Sequence, residues 1–177
     1  MVTDEYVRAV RGGIGHVKTP GNYAASILAA KEAKEKGYTQ VLWLDGVELK
    51  YIEEVGTMNI FFVINNQLIT PPLEGSILGG MTRDSVLEVA RKWGLDTAER
   101  RLSIDEVVDA AHKGTLQEIF GTGTAAVISP VNELKWKDET IVPGDGNVGE
   151  LSHKFYEHIT GIQYGKIPDE FNWVVEL

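Results

Sequence analysis

The chain has 177 residues, of which 43% are hydrophobic and 24% are charged, and this size and composition suit one globular domain with a core of its own. Its 17 basic and 26 acidic residues give a formal charge of −9, which argues against nucleic acid or an anionic membrane surface as a partner. The absence of cysteine excludes disulfides, thiolate nucleophiles and cysteine-ligated metals, so the reducing cytoplasm is the expected compartment. No apolar run is long enough to span a bilayer, and the first five residues lack the features of a signal peptide.

The first predicted elements surround a glycine-rich loop. Residues 6–10 alternate between apolar and polar side chains and predict a short strand that leads into this loop. Asn22 is predicted to cap a helix over residues 23–36, in which Ile27, Leu28 and several alanines face inward. A glycine directly after this helix is its expected end.

Strands and helices continue to alternate along the rest of the chain, which predicts an α/β fold, and hairpins make its sheet mixed. A capping box, Ser103 with Glu106, marks the start of one helix, and Asn65-Asn66 marks a tight hairpin turn. The predicted strands are 38–45, 58–64, 67–70, 96–102, 117–120 and 125–131, the further helices are 82–93, 104–112 and 149–162, and 136–146 is predicted to be a polar surface segment.

Lys18 is the first candidate for chemistry. It lies in the glycine-rich loop, close to the predicted start of a helix. The partial positive charge of a helix N-terminus favours the neutral amine, which is the form that attacks a carbonyl carbon. Most loop lysines are solvated and inert, however, and the loop alone favours that interpretation.

Three separated motifs favour a reactive Lys18 over a solvated, inert lysine. They are Lys18-x-x-Gly21-Asn22-Tyr23, Glu53-Glu54-Val55-Gly56-Thr57-Met58-Asn59 and Phe120-Gly121-Thr122-Gly123-Thr124-Ala125-Ala126. In this order they resemble the pyridoxal-phosphate aminotransferases of fold type IV. The second motif and Gly161-Ile162-Gln163-Tyr164-Gly165 most resemble the branched-chain amino acid aminotransferases.

The resemblance runs from about residue 6 to the C-terminus and covers only the C-terminal half of that family. It implies that residues 1–177 are the C-terminal cofactor-binding domain, without the family's smaller N-terminal domain. The implied fold is a mixed β-sheet that closes into a partial barrel flanked by helices.

The resemblance also implies roles at the cofactor ring. Lys18 would hold pyridoxal 5′-phosphate as a Schiff base and act as acid and base. Glu54 would pair with the pyridine nitrogen, whereas Glu53 would turn to the opposite face of the strand. Tyr23 would bond the phenolic oxygen. The alternatives are a solvated pair of surface carboxylates and an aromatic ring that only packs at a helix start.

The remaining expected contacts come from hydroxyls and backbone N–H groups. Thr82 is one of these residues, although it could serve only as a plain helix cap. The residues assigned to the phosphate are Thr57, Met81, Thr82 and Thr124, and those assigned to the substrate carboxylate are Ala125 and Ala126.

The implied activity is transamination of leucine, isoleucine or valine with 2-oxoglutarate by the intact enzyme, which is expected to be a homodimer. No metal is expected. D-amino acid aminotransferases and aminodeoxychorismate lyases share the lysine and the glutamate, so either of these two activities remains an alternative. A second alternative is that the isolated chain is a non-catalytic module that binds pyridoxal phosphate or phosphate, and negligible turnover is predicted for it.

Overall fold

A computed structural model describes residues 1–175 of the chain. The described part contains four helices and nine strands. In chain order they are α1 (Pro20–Glu35), β1 (Leu42–Leu44), β2 (Ile52–Val55), β3 (Asn59–Ile64), β4 (Gln67–Thr70), α2 (Met81–Lys92), β5 (Thr97–Glu99), α3 (Ile104–His112), β6 (Leu116–Gly123), β7 (Val127–Pro130), β8 (Leu134–Trp136), β9 (Glu139–Ile141) and α4 (Glu150–Gln163).

The central sheet has five strands in the order β5-β4-β3-β6-β7. Strand β3 is antiparallel to both of its neighbours, whereas β4 and β5 are parallel. Two further antiparallel pairs, β1 with β2 and β8 with β9, stand apart from it. The predicted α/β fold with a mixed sheet is therefore confirmed. Within residues 1–175 the strands form three separate sheets and no closed barrel.

The core lies on both faces of β3. Ile60 and Phe62 belong to a cluster that includes residues of α3, whereas Phe61 and Val63 belong to a cluster with residues of α2 and α4. The ring of Phe61 stacks on Phe120 of β6 with 5.3 Å between centroids. Because helices cover both faces, β3 is buried along its whole length, and its residues from Ile60 to Ile64 are all apolar instead of alternating.

Helix α1 starts earlier than predicted. Its N-cap is Thr19, and Pro20 occupies the first turn, where the missing N–H of proline costs no hydrogen bond. The prediction that Asn22 caps the helix is wrong, because this residue lies inside the first turn. Its side chain donates backward, to the carbonyls of Ile14 and Val17.

The predicted inward face of α1 is confirmed for two of its alanines and wrong for its large side chains. Ile27 and Leu28 are 67% and 54% exposed, and the helix packs through Ala29 and Ala33 against a cluster that contains Trp43. The small alanine side chains allow the helix backbone to lie close to this ring, and the larger side chains therefore point away from it.

Other predictions have mixed outcomes. Asn65 and Asn66 form the hairpin turn with φ of 51° and 63°, and Ser103 caps α3 by accepting the Glu106 N–H. The strand predicted at 6–10 is irregular chain, and the segment predicted as a polar excursion at 136–146 includes the end of β8 and all of β9. In the described part of the chain, none of the helices is long and apolar enough to cross a membrane.

Candidate active site

The glycine-rich loop delivers Lys18 to a cleft beside β2. Lys18 lies two residues before α1 and is exposed. The cleft is also lined by Tyr23 from the first turn of α1, by Glu54 from β2 and by Thr57 from the turn that follows β2. Four of the residues predicted from sequence are therefore brought together around one opening.

Two contacts hold the lysine loop in place. The Asn22 amide donates to the carbonyl oxygens of Ile14 at 2.9 Å and Val17 at 2.8 Å. Gly15 is buried against another segment, and a Cβ atom there would lie 2.2 Å from the carbonyl oxygen of Ser76. The loop is thus anchored on one side by α1 and on the other by the segment at residues 75–78.

Replacing Gly15 with alanine is expected to lower the free energy of unfolding by about 1–3 kcal/mol, because the added methyl meets backbone atoms that cannot turn away. Gly21 is the matched control in the same region. A methyl there has only Ile14 Cδ1 within contact distance, at 3.4 Å, and alanine is the better helix former. Urea unfolding of both variants checks this expectation, and equal losses would contradict it.

Strand alternation separates the two adjacent glutamates. Glu53 accepts a hydrogen bond from the Ser76 hydroxyl and lines a different cavity, together with Asp45 and Arg101. Glu54 faces the cleft of Lys18. Both carboxylates are buried, so the alternative of a solvated surface pair is wrong.

Glu54 is surrounded by hydrogen-bond donors. Its Oε2 lies 2.5 Å from Nη2 of Arg8, and its Oε1 accepts the Leu78 N–H at 3.1 Å and the Asn59 amide at 3.3 Å. Burial nevertheless raises the pKa of Glu54 to about 7, against the opposing effects of the Arg8 charge and the Leu78 N–H. This carboxyl group can therefore gain or lose a proton close to neutral pH.

Arg8 is the site residue that sequence reasoning missed. Its side chain is only 8% exposed, it lines the same cleft, and Nη2 also donates to the Ser76 carbonyl at 2.8 Å. No local motif connects it to Glu54, because the two residues are far apart in the chain. An arginine within a largely apolar segment was the single available signal.

Asn59 lies between the Glu54 carboxylate and the N-terminus of α2. The helix has Gly80 as N-cap, without a side-chain cap, so the alternative that Thr82 caps it is wrong. Gly80 packs against Asn59, since a Cβ atom on Gly80 would lie 2.2 Å from the amide oxygen. Met81 is 86% exposed and Thr82 is half-buried in the first turn.

The turn between β6 and β7 completes the neighbourhood. Asn59 pairs with Thr122 across β3 and β6, and the buried Thr122 hydroxyl has no hydrogen-bond partner within the described residues. Residues 124–126 form an exposed turn, which ends at Val127 with φ of 57°. A positive φ is unusual for a β-branched residue and marks a strained turn.

Five predicted residues do not line the cleft of Lys18. They lie close in the chain to Gly80 or Thr122, and both of these residues lie beside Asn59, which touches Glu54. These residues are Met81, Thr82, Thr124, Ala125 and Ala126.

A lysine amine and a buried carboxylate in one cleft, beside the N-terminus of a helix, agree with the family model that matches residues 7–134, amino-transferase class IV. The chain belongs to this family. It is 59% identical over 176 residues to branched-chain-amino-acid transaminase 1 of Bacillus subtilis and 58% identical over 174 residues to a probable branched-chain-amino-acid aminotransferase of Staphylococcus aureus.

Solved structures agree with this assignment. Branched-chain amino acid aminotransferase from Escherichia coli superposes with a TM-score of 0.83 at 30% identity, over 99% of this chain and 56% of that one. A T.th. branched-chain amino acid aminotransferase in complex with N-(5′-phosphopyridoxyl)-L-glutamate gives a TM-score of 0.83 at 29% identity, over 98% of this chain and 54% of that one. The match to the two bacterial relatives covers 99% and 98% of this chain but 49% of each relative, so the chain spans about half their length.

Proposed function

We propose that this chain is the pyridoxal-phosphate-binding domain of a branched-chain amino acid aminotransferase. The observation that carries the proposal is the buried carboxylate of Glu54 in the same cleft as the exposed amine of Lys18. A buried carboxylate partner is what keeps a pyridine nitrogen protonated, and a free amine is what bonds an aldehyde.

The residues around the cleft fit this cofactor. Near Asn59, the buried Thr122 hydroxyl, which has no hydrogen-bond partner among residues 1–175, and the uncapped first turn of α2 offer hydrogen-bond donors, as a phosphate group requires. The tight contact of Gly80 with Asn59 keeps that turn close to Glu54. When bound, pyridoxal phosphate supplies an electron-withdrawing ring that stabilises negative charge at the α-carbon of an amino acid.

Each residue then has a defined task. Lys18 would hold the cofactor through its amine and, once that amine is free, move a proton at the substrate α-carbon. Glu54 would accept the hydrogen bond of the ring nitrogen, and Tyr23 would donate to the phenolic oxygen. Phosphate contacts are proposed for Thr57, Met81, Thr82 and Thr124, and substrate carboxylate contacts for the N–H groups of Ala125 and Ala126.

The substrate assignment rests on the relatives. The two bacterial proteins named as branched-chain aminotransferases match nearly the whole chain at 59% and 58% identity, and they are about twice as long. We infer that the intact protein adds a smaller N-terminal domain, forms a homodimer and works in the cytoplasm. Its substrates would be leucine, isoleucine and valine, with 2-oxoglutarate as amino acceptor.

The decisive assay uses the intact protein that contains this chain, loaded with pyridoxal phosphate. Transfer of the amino group to 2-oxoglutarate is expected from L-leucine, L-isoleucine and L-valine and not from D-alanine. Activity with D-alanine alone, or release of pyruvate from aminodeoxychorismate, would overturn the substrate assignment in favour of one of the two related activities.

A further inference from the structure

The ion pair between Arg8 and Glu54 is almost completely buried. The two side chains are 8% and 5% exposed, and Nη2 of Arg8 lies 2.5 Å from Oε2 of Glu54. The same nitrogen donates to the Ser76 carbonyl at 2.8 Å, while Nε of Arg8 is buried without a hydrogen-bond partner among the described residues. An orphaned buried N–H lowers stability, so the position of this arginine calls for an explanation other than complete hydrogen bonding.

We propose that Arg8 is a positioning residue that keeps the Glu54 carboxylate ionised and directed at the ring nitrogen of pyridoxal phosphate. This role rests on the function proposed above. Arg8 acts through Glu54 and is not assigned a contact with the cofactor.

Arg8 first affects the charge of Glu54. Burial favours the neutral form of Glu54, and the negative charge of Glu53 on the same strand acts in the same direction. The guanidinium of Arg8 is the opposing positive charge in contact with Glu54. Lys18 is the other charged group that lines the cleft. Removing Arg8 would therefore favour a proton on the Glu54 carboxyl group over one on the ring nitrogen of a bound cofactor.

Arg8 also affects the orientation of the Glu54 carboxylate. Leu78 N–H and the Asn59 amide bond to Oε1, and Arg8 bonds to Oε2, so donors on both oxygens define the plane of the carboxylate. Arg8 is itself anchored by the Ser76 carbonyl, in the segment that also packs against Gly15 of the lysine loop. The same contacts thus fix the position of the Glu54 carboxylate relative to the loop of Lys18.

The first test needs no cofactor. The carboxyl carbon of Glu54 is titrated by ¹³C NMR in the wild-type chain, in Arg8→Gln and in Arg8→Lys. We expect the midpoint to rise by about one pH unit or more in Arg8→Gln and by less in Arg8→Lys, which keeps the charge. Arg11→Gln is the matched control, because Arg11 is exposed and its ion pair is with Glu74. An unchanged Glu54 midpoint in Arg8→Gln would overturn the proposal.

The second test measures pyridoxal phosphate affinity from cofactor absorbance at pH 8. Arg8→Gln is expected to weaken binding about tenfold, whereas it should have less than about a twofold effect in a Glu54→Gln background, because the two residues act as a unit. Additive losses would contradict the proposal. If the wild-type chain binds no cofactor, the proposal that this chain by itself forms a cofactor site fails, while the carboxyl titration still decides the role of Arg8.

The proposal can still be tested if Arg8→Gln fails to fold. If Arg8→Gln does not give a native circular dichroism spectrum, Arg8→Lys decides. With the charge retained, its Glu54 midpoint should stay within about one pH unit of the wild type and its cofactor affinity within about fivefold. A larger change in either quantity would overturn the proposal.

Discussion

Substitution of Lys18 by alanine is expected to lower transamination by the intact protein by about 10³-fold or more, because one amine both holds the cofactor and moves the proton. In the chain itself, the expected readout is the absorbance spectrum after addition of pyridoxal phosphate. The wild type should show a Schiff-base band that resists dilution, and Lys18→Ala should not.

Lys34→Ala is the matched control for this experiment. Lys34 is an exposed lysine near the C-terminal end of α1, away from the cleft. Its replacement should leave the band unchanged. If the wild-type band is absent, or if it survives in Lys18→Ala, the chain is better described as a non-catalytic module than as a preorganised cofactor site.

The second large effect is a loss of stability as pH rises. Burial raises the pKa of Glu54 to about 7, from an ordinary value of 4.5 that applies to the unfolded chain. Between these values the folded state holds a proton that the unfolded state has released, so the free energy of unfolding falls as pH increases. Glu54 should account for a loss of about 3 kcal/mol between pH 4.5 and 8 in the cofactor-free chain.

Glu54→Gln isolates this effect, because glutamine does not titrate. Other groups contribute to both proteins and cancel in the difference, including the amino terminus, whose pKa is lowered to about 6 by burial and which acts in the opposite direction. Urea unfolding at several pH values between 5 and 8 should give a slope for the wild type that is more negative than that of the variant. Parallel profiles would contradict the titration of Glu54 in this range.

Local patterns were sufficient for the elements that depend on neighbouring residues. The hairpin at Asn65-Asn66 follows from the tolerance of asparagine for positive φ, and the start of α3 follows from the capping hydroxyl of Ser103. Both are decided within a few residues, and both predictions are confirmed.

Helix α1 shows where such reasoning stops. Its alanines make the hydrophobic pattern nearly uniform around the helix, so the sequence does not define one inward face. The buried face of α1 is determined by contact with Trp43 and Val41, which lie outside the helix. Close packing against a large ring favours the smallest side chains, Ala29 and Ala33, over Ile27 and Leu28.

In the candidate site, too, local sequence determines some features and tertiary structure determines the others. By itself the sequence determined the residue types, the order of three motifs and, through strand alternation, that Glu53 and Glu54 face opposite sides. Only the tertiary structure decided that both glutamates are buried and that Arg8 is the partner of Glu54. The physical reason is that alternation along a strand is a local property, whereas burial and ion pairing depend on which distant segments cover the strand.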